Sequence, residues 1–263
     1  MKKFIKILLI IILIILMINL LLFIFLGKNR FLTLYSLDDQ NMREIEIEQK
    51  EFSKLKLELD TIDIKFILSD NFKIETNKTL VYQFKNDTLL IKEPQKIIHN
   101  KQDKKLNIYL THNDISKLDL SLEKGNVELN NFTLEEIDLD IDTGSLIMIK
   151  SNIIKKGNIL LDTGNATLNG VNFNNTELKI DAGNINFDGQ IKGLNTLEVD
   201  TGKIGIVLNE QLKKYQIKAE TNLGNILLNS EDKGKKYTYT EDNGNVLLNV
   251  KADIGNIEIT SME

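Results

Sequence analysis

Glycine recurs about every twenty residues through the second half of this chain, and no other feature restricts its fold so tightly. The positions are Gly125, Gly144, Gly164, Gly183, Gly202, Gly224, Gly244 and Gly255, with spacings of 19, 20, 19, 19, 22, 20 and 11. Each stands in a reworded copy of the phrase LDIDTGSLIMI (Leu139 to Ile149). A repeat of this length marks a solenoid, in which no unit buries its apolar face until a neighbour stacks on it.

Counting from each glycine gives the shape of one rung. Apolar residues fall at −5 and −3, as in Leu139 and Ile141 or Leu178 and Ile180, and again at +2 and +4, as in Leu146 and Met148 or Ile185 and Phe187. Alternation with period two is the mark of a half-buried strand. Two short strands therefore flank each glycine, turned by an Asp-Thr-Gly-Asn type tetrapeptide whose Asp and Asn bond their own backbone. A stack of hairpins would satisfy one unit. The recurrence of the same phase after loops of varied content favours parallel stacking, with equivalent positions about 4.8 Å apart. Asn at +1 (Asn126, Asn165, Asn184, Asn225, Asn245, Asn256) and at +5 (Asn130, Asn169, Asn229, Asn249, with Asp188 in kind) then forms ladders, and the +5 set marks a second corner.

Nothing after Phe31 holds the i, i+3, i+4, i+7 spacing of an amphipathic helix. The predicted fold is all-β: a single-stranded parallel β-helix, or solenoid, of ~20-residue rungs, preceded by one N-terminal transmembrane helix. Before the glycines, Leu55, Leu57, Leu59, Ile62, Ile64 and Phe66 already alternate, and LELDTIDI (Leu57 to Ile64) copies the later phrase with Ile62 in the glycine's place. It reads as an early, atypical rung. Pro94 to Lys105 reads as a surface loop, and the closing Ile257 to Ser261 as an exposed edge blunted by Glu258 and Glu263.

The anchor is a local signal. Residues 7–26 are apolar except for Asn19, and twenty helical residues span about 30 Å, the thickness of a bilayer core. No small-residue cleavage site follows. Lys2, Lys3 and Lys6 outweigh Lys28 and Arg30, which places the N-terminus in the cytoplasm and the rest outside. The expected organisation is a cytoplasmic tail at 1–6, an anchor at 7–27, a stalk at 28–50 and a solenoid at 51–263. Within the solenoid, 51–117 holds atypical rungs and 118–263 regular ones. The chain has 33 Lys and Arg against 38 Asp and Glu; without the three lysines of the tail the balance is 30 against 38, about −8. That charge excludes nucleic acid as a partner. Cysteine is absent, which excludes disulfides, thiol catalysis and cysteine-bound zinc.

One motif invites a chemical assignment. Asp142-Thr143-Gly144-Ser145 spells the aspartic protease signature, and Asp162-Thr163-Gly164 and Asp200-Thr201-Gly202 repeat its core. That chemistry needs two aspartates facing each other closely enough to share a proton. Recurrence once per rung makes the motif a corner instead. The column Asp142, Asp162, Asp181, Asp200 offers oxygen ligands of the kind calcium takes, without the nine-residue Gly-Gly-x-Gly-x-Asp calcium repeat. His99 and His112, the two imidazoles, have no partners at zinc-ligand spacing. No residue is assigned a catalytic, cofactor-binding or metal-ligating role, and no cofactor is expected.

LELDTIDI, the strand NDTLLI (Asn86 to Ile91), the strand LNIYL (Leu106 to Leu110) and the glycine rungs follow one another in the order of a known family. From Phe52 to Ser261 the chain resembles the bacterial putative adhesins of unknown function. It departs from them at Ile62, where glycine is usual, and at Thr111, where proline is common. The resemblance implies a protein anchored at the envelope of Gram-positive bacteria, with some relatives beside envelope-stress genes, and carries no catalytic residues to transfer. The expected role is a non-enzymatic envelope protein that binds or scaffolds wall polymer or envelope proteins, held in the membrane through residues 7–26. Two alternatives stand beside it: an accessory or sensing component of an envelope-stress response, and a polysaccharide-acting β-helix enzyme.

Overall fold

The computed structural model describes residues 32–34, 41–45, 47, 51–94, 103–110, 114–240, 244 and 246–262. The anchor (7–26), Asn19, His99 and His112 lie outside them, as do residues 95–102 of the expected surface loop. Among the described residues no helix is long and apolar enough to cross a membrane. The fold is all-β, with one turn of 3-10 helix at Leu212–Lys214. Within the expected stalk, Leu32–Leu34 and Arg43–Ile45 form strands.

The described strands of the solenoid stack in nine layers. Layer 1 holds Thr88–Lys92 and Lys105–Leu110; layer 2, Lys54–Thr61 and Asp63–Leu68; layer 3, Asp114–Lys124 and Val127–Asn130. Layers 4, 5 and 6 are the long strands Thr133–Ile149, Asn152–Asn174 and Thr176–Lys192. Layer 7 holds Leu194–Thr201 and Ile204–Gln211; layer 8, Val246–Ile254 and Ile257–Met262; layer 9, Tyr215–Leu223 and Ile226–Leu228. Each is parallel to the next. One full turn has three straight runs, visible between Gly164 (φ 154°), Gly170 (φ 63°), Asn175 (φ 50°) and Gly183 (φ 152°). The runs point Ala166 and Leu168, Val171 and Phe173, and Leu178 and Ile180 into one continuous core, all at or below 1% exposure.

The inward columns at −5, −3, +2 and +4 are buried as the spacing requires, and Ile62 occupies the corner of layer 2, with Leu59 beside Leu122 and Ile64 beside Val127. Each fully buried aliphatic side chain contributes roughly 1.5–3 kcal/mol.

Four expectations are corrected. In layers 4 to 6 the corner is a bend inside one long strand rather than a separate turn, the ladder skipping only the aspartate before Thr143 and resuming through Gly144 and Ser145, whereas layers 2, 3, 7, 8 and 9 keep two separate strands about the corner. Gly244 is not a corner, because Val246 and Leu248 belong to the run leading to Gly255; that is why the last spacing is 11. In layers 3 to 5 the second corner falls one residue later than the +5 position, at Asn131 (φ 62°), Lys150 (φ 47°) and Gly170, whereas in layer 9 the +5 residue Asn229 (φ 47°) itself turns the chain, with Ser230 (φ 69°). Ile257–Met262 is not an edge, since it pairs with Ile204–Gln211 on one side and Ile226–Leu228 on the other.

Chain order and layer order part company at both ends. The N-terminal chain lays down layer 2, then an antiparallel cap (Lys73–Thr76 on Lys105–Leu110, Leu80–Lys85 on Thr88–Lys92), then layer 1, then layer 3. At the other end layer 7 is followed by layer 9, then its antiparallel cap (Glu231–Asp232 and Lys236–Tyr239), then layer 8. Both ends are thus closed by antiparallel strands, which departs from a purely parallel helix. Caps of this kind cover edges that would otherwise pair with another chain. Lys104 and Lys105 of the expected loop belong to this framework, the first buried and the second opening a strand.

Candidate functional site

The repeated Asp-Thr-Gly corner is where sequence and geometry meet. A Cβ on Gly144 would lie 1.7 Å from the Gly125 carbonyl oxygen, and one on Gly164 would lie 1.5 Å from that of Gly144. Gly183, Gly202, Gly255 and Gly224 continue the column, each against the carbonyl of the layer before it in the stack, at 1.5–1.9 Å. Backbone packs directly on backbone here, and positive φ closes the position to other residues as well.

One residue after the corner glycine, asparagine amides bond from layer to layer, interrupted where Ser145 and Lys203 stand in the row; Asn245 lies outside the described residues. The Oδ1 of Asn126 accepts from the Ser145 N–H at 3.1 Å. Asn165 Oδ1 accepts from the Asn184 N–H at 3.1 Å and its Nδ2 at 2.8 Å. Asn184 Oδ1 accepts from the Lys203 N–H at 3.0 Å, and Asn256 Oδ1 from the Asn225 N–H at 3.0 Å. In layer 2 Asp63 plays the asparagine's part, accepting from Asn126 at 2.8 Å. Each such bond is worth about 1 kcal/mol net. Of the +5 set, Asn229 bonds across layers, its Oδ1 accepting from the Ser261 N–H at 3.0 Å.

Two residues before the glycine runs a column of carboxylates. Asp142, Asp162, Asp181 and Asp200 are joined by Asp60 and Glu123 below and Asp253 above, and Asn222 ends the row, its Nδ2 donating to Asp253 Oδ1 at 3.2 Å. Asp253 carries the same signal as the others, an acid two places before a glycine, but its place in the row depends on the permuted stacking. These aspartates succeed one another along one ridge instead of facing one another, so shared-proton peptidase chemistry is not built here. Beside the ridge on layer 4, Asp140 has its pKa raised, first by burial and then by the charges of Asp142, Asp162 and Asp138. Among the described residues no group of three or more His, Cys, Asp or Glu side chains is arranged to hold a metal ion.

The outer faces are polar and regular. Four positions before the corner, Lys179, Glu198, Lys251 and Glu220 alternate in sign over layers 6 to 9. Lys251 pairs with Glu198 at 2.7 Å, and Glu220 with Lys236 of the cap at 2.7 Å. Such exposed pairs add a few tenths of a kcal/mol up to about 1. Three open grooves follow the stack. One of about 530 Å³ lies along the third corner between Lys117, Glu136, Lys156, Glu177 and Leu194. One of about 430 Å³ surrounds Gly205, whose missing side chain leaves a notch between Asn186 and Glu258. The third, about 450 Å³, sits where Asp63, Lys104 and Lys124 meet the glycine corner.

The strongest buried polar feature is one the sequence pattern does not announce. Lys78 and Glu93 form an ion pair with side chains 5% and 7% exposed. Lys78 Nζ also donates to the Thr61 carbonyl at 2.9 Å, and Glu93 accepts from the Asp60 N–H at 2.8 Å. The pair thereby ties the N-terminal cap to the Ile62 corner. Lysine fifteen residues before a glutamate carries no motif, so only the packing brings them together.

The family described as Toastrack DUF4097 matches residues 39–260 of the chain. Similar solved structures include a putative cell adhesion protein from Clostridium sporogenes, 18% identical, covering 84% of this chain and 99% of that one, with a TM-score of 0.36. A putative adhesin from Bacteroides fragilis is 14% identical over 86% of this chain and 99% of its own, TM-score 0.45. One from Parabacteroides merdae is 10% identical over 85% and 96%, TM-score 0.47. No curated protein matches the chain.

Proposed function

The chain belongs to the Toastrack DUF4097 family, and from that premise we propose that it is a membrane-anchored, extracytoplasmic solenoid acting as a non-enzymatic, adhesin-like binding or scaffold protein of the cell envelope. The observation that carries this reading is the regular exterior. Polar columns of Asp, Thr and Asn repeat layer after layer at one spacing around the glycine corner, which suits contact with an extended or repeating partner such as a wall polymer or a row of envelope proteins. The anchor at residues 7–26 and the lysines of the tail support the membrane location.

Two measurements test it. In intact cells, protease added from outside should remove a C-terminal tag while an N-terminal tag survives. The purified full chain in detergent should sediment with cell-wall sacculi and release no soluble fragments from them. A tag protected at the C-terminus, or release of wall fragments, would refute the reading.

A further inference from the structure

The C-terminal strands occupy an unusual place. Layer 8 (Val246–Ile254 and Ile257–Met262) is made after both layer 7 and layer 9 yet lies between them. Among the described residues, the strands of layer 9 pair with layer 8 and with their own cap, and with nothing else. By strand pairing, layer 9 and its cap are therefore laced to the solenoid through layer 8; the Leu212–Lys214 turn and the Tyr215 hydroxyl, which donates to Glu210 at 3.3 Å, tie layer 9 to the end of layer 7. At the N-terminal end every new layer can add to a free edge: layer 2 first, layer 1 on one side, layer 3 on the other. At the other end synthesis leaves layer 9 paired with its cap but with no solenoid layer beside it until residues 246–262 arrive, and these must enter between two layers already made.

The slot is undemanding about its occupant's origin. It offers two parallel edges and asks for alternating apolar residues around a glycine. Val250, Ala252, Ile257 and Ile259, flanking Gly255, meet that requirement, and every copy of the chain carries the same set. The packing is also lighter here than mid-stack. The −5 and −3 positions are Val250 and Ala252 in layer 8 and Ala219 and Thr221 in layer 9, against Leu139 and Ile141 in layer 4. On the outside the arch leaves Leu247, Ile254 and Met262 42%, 51% and 57% exposed. Stability differs along a structure, and weakly packed terminal units open first.

We propose that layer 8 is an exchangeable β-arch: the slot between layers 7 and 9 accepts Val246–Met262 from its own chain or from a second copy, so that two chains close each other's solenoids by trading it. Exchange of an identical element reproduces every native contact in trans. This inference goes beyond the binding role proposed above and does not depend on it.

The absence of cysteine makes the exchange directly readable. Leu194 and Leu247 are register partners across layers 7 and 8 and are 51% and 42% exposed, so cysteine at either costs no core packing. Parallel neighbours about 4.8 Å apart fall within the Cα spacing of about 4.4–6.8 Å that a disulfide accepts. Full chains carrying L194C or L247C are mixed, incubated and oxidised. The L194C–L247C heterodimer is expected at least ten-fold above the L194C homodimer. Hydrogen exchange on the unmodified chain, which needs no variant to fold, should show 246–262 and 215–239 opening together and sooner than 133–192. A heterodimer no more abundant than the homodimer, or a C-terminal arch as protected as layers 4 to 6, would overturn the proposal.

Discussion

The two ends of this solenoid share one permuted plan and differ in how they are held. From residue 51 onward at one end, and from residue 262 backward at the other, the chain builds the second layer, a cap, the outermost layer and then the third. At the N-terminal end a buried ion pair, Lys78 with Glu93, ties cap to corner, and Phe52 meets Phe72 edge-on at 5.4 Å in the same region. At the C-terminal end layer 8, made after the layers on either side of it, joins the outermost layer to the stack by strand pairing, and small residues, Ala219, Ala252 and Thr221, fill the core. A shared layer order thus gives a latched end and an open one. The difference comes from chain direction, from side-chain volume and from the two strands, Leu32–Leu34 on Leu80–Lys85 and Arg43–Ile45 on Lys73–Thr76, that widen the N-terminal cap.

Removing one partner of the latch should have the largest effect. Lys78→Met strands Glu93 in a buried site and is expected to lower stability by about 3–5 kcal/mol, read by urea denaturation. The double variant Lys78→Met, Glu93→Leu should recover most of it. A single variant costing no more than an exposed ion pair would erase the contrast between the ends. Next comes Gly255→Ala, which forces φ 151° on alanine and drives its Cβ to 1.5 Å from the Gly202 carbonyl oxygen. We expect a loss of at least about 1–3 kcal/mol, with hydrogen exchange rising over 215–239 as well as 246–262 while layers 4 to 6 keep their protection. Gly234→Ala, at an open hairpin tip with φ 76°, meets no atom within 4 Å and should cost about 1–2 kcal/mol, the backbone term alone.

Thr221→Val is smaller in reach. Thr221 is buried, and its Oγ1 donates to the Gly255 carbonyl at 2.9 Å, so the variant should cost about 1 kcal/mol and weaken the C-terminal end alone in a thermal melt followed by limited proteolysis. The smallest effect belongs to the middle. Because its pKa is raised, Asp140 holds its proton more tightly in the folded chain than in the unfolded one. Its contribution is favourable at pH below the ordinary carboxylate value and is lost as pH rises through the folded pKa. Asp140→Asn should therefore melt slightly higher than the parent at pH 7, with the gap closing near pH 3; equal melting at pH 7 would remove the repulsion argument.

Much of one layer is legible without a structure. The inward residues of the glycine rungs, the substitution of Ile62 for a corner glycine and the +1 asparagine ladder all follow from spacing, because a period of two sets facing and a constant phase sets stacking. The Asp-Thr-Gly letters mislead only when met once. What stayed hidden depended on long-range packing. Gly244 carries the local signal of a corner, with Val246 and Leu248 at the right offsets, yet those residues belong to the approach to Gly255. The carboxylate ridge extends to Asp60, Glu123 and Asp253 because of which layers touch, and Lys78 finds Glu93 because a cap folds back.

The sequence by itself determined the unit: a glycine corner between two inward-facing strands, repeated until the apolar columns close on themselves. Only the tertiary structure decided the order of the units. Ladder hydrogen bonds join backbone to backbone and are blind to side chains, so any rung of this pattern can lie against any other. The choice falls to contacts between columns, such as Lys251 reaching Glu198 across layers 7 and 8, which connect residues 53 positions apart and leave no periodic trace.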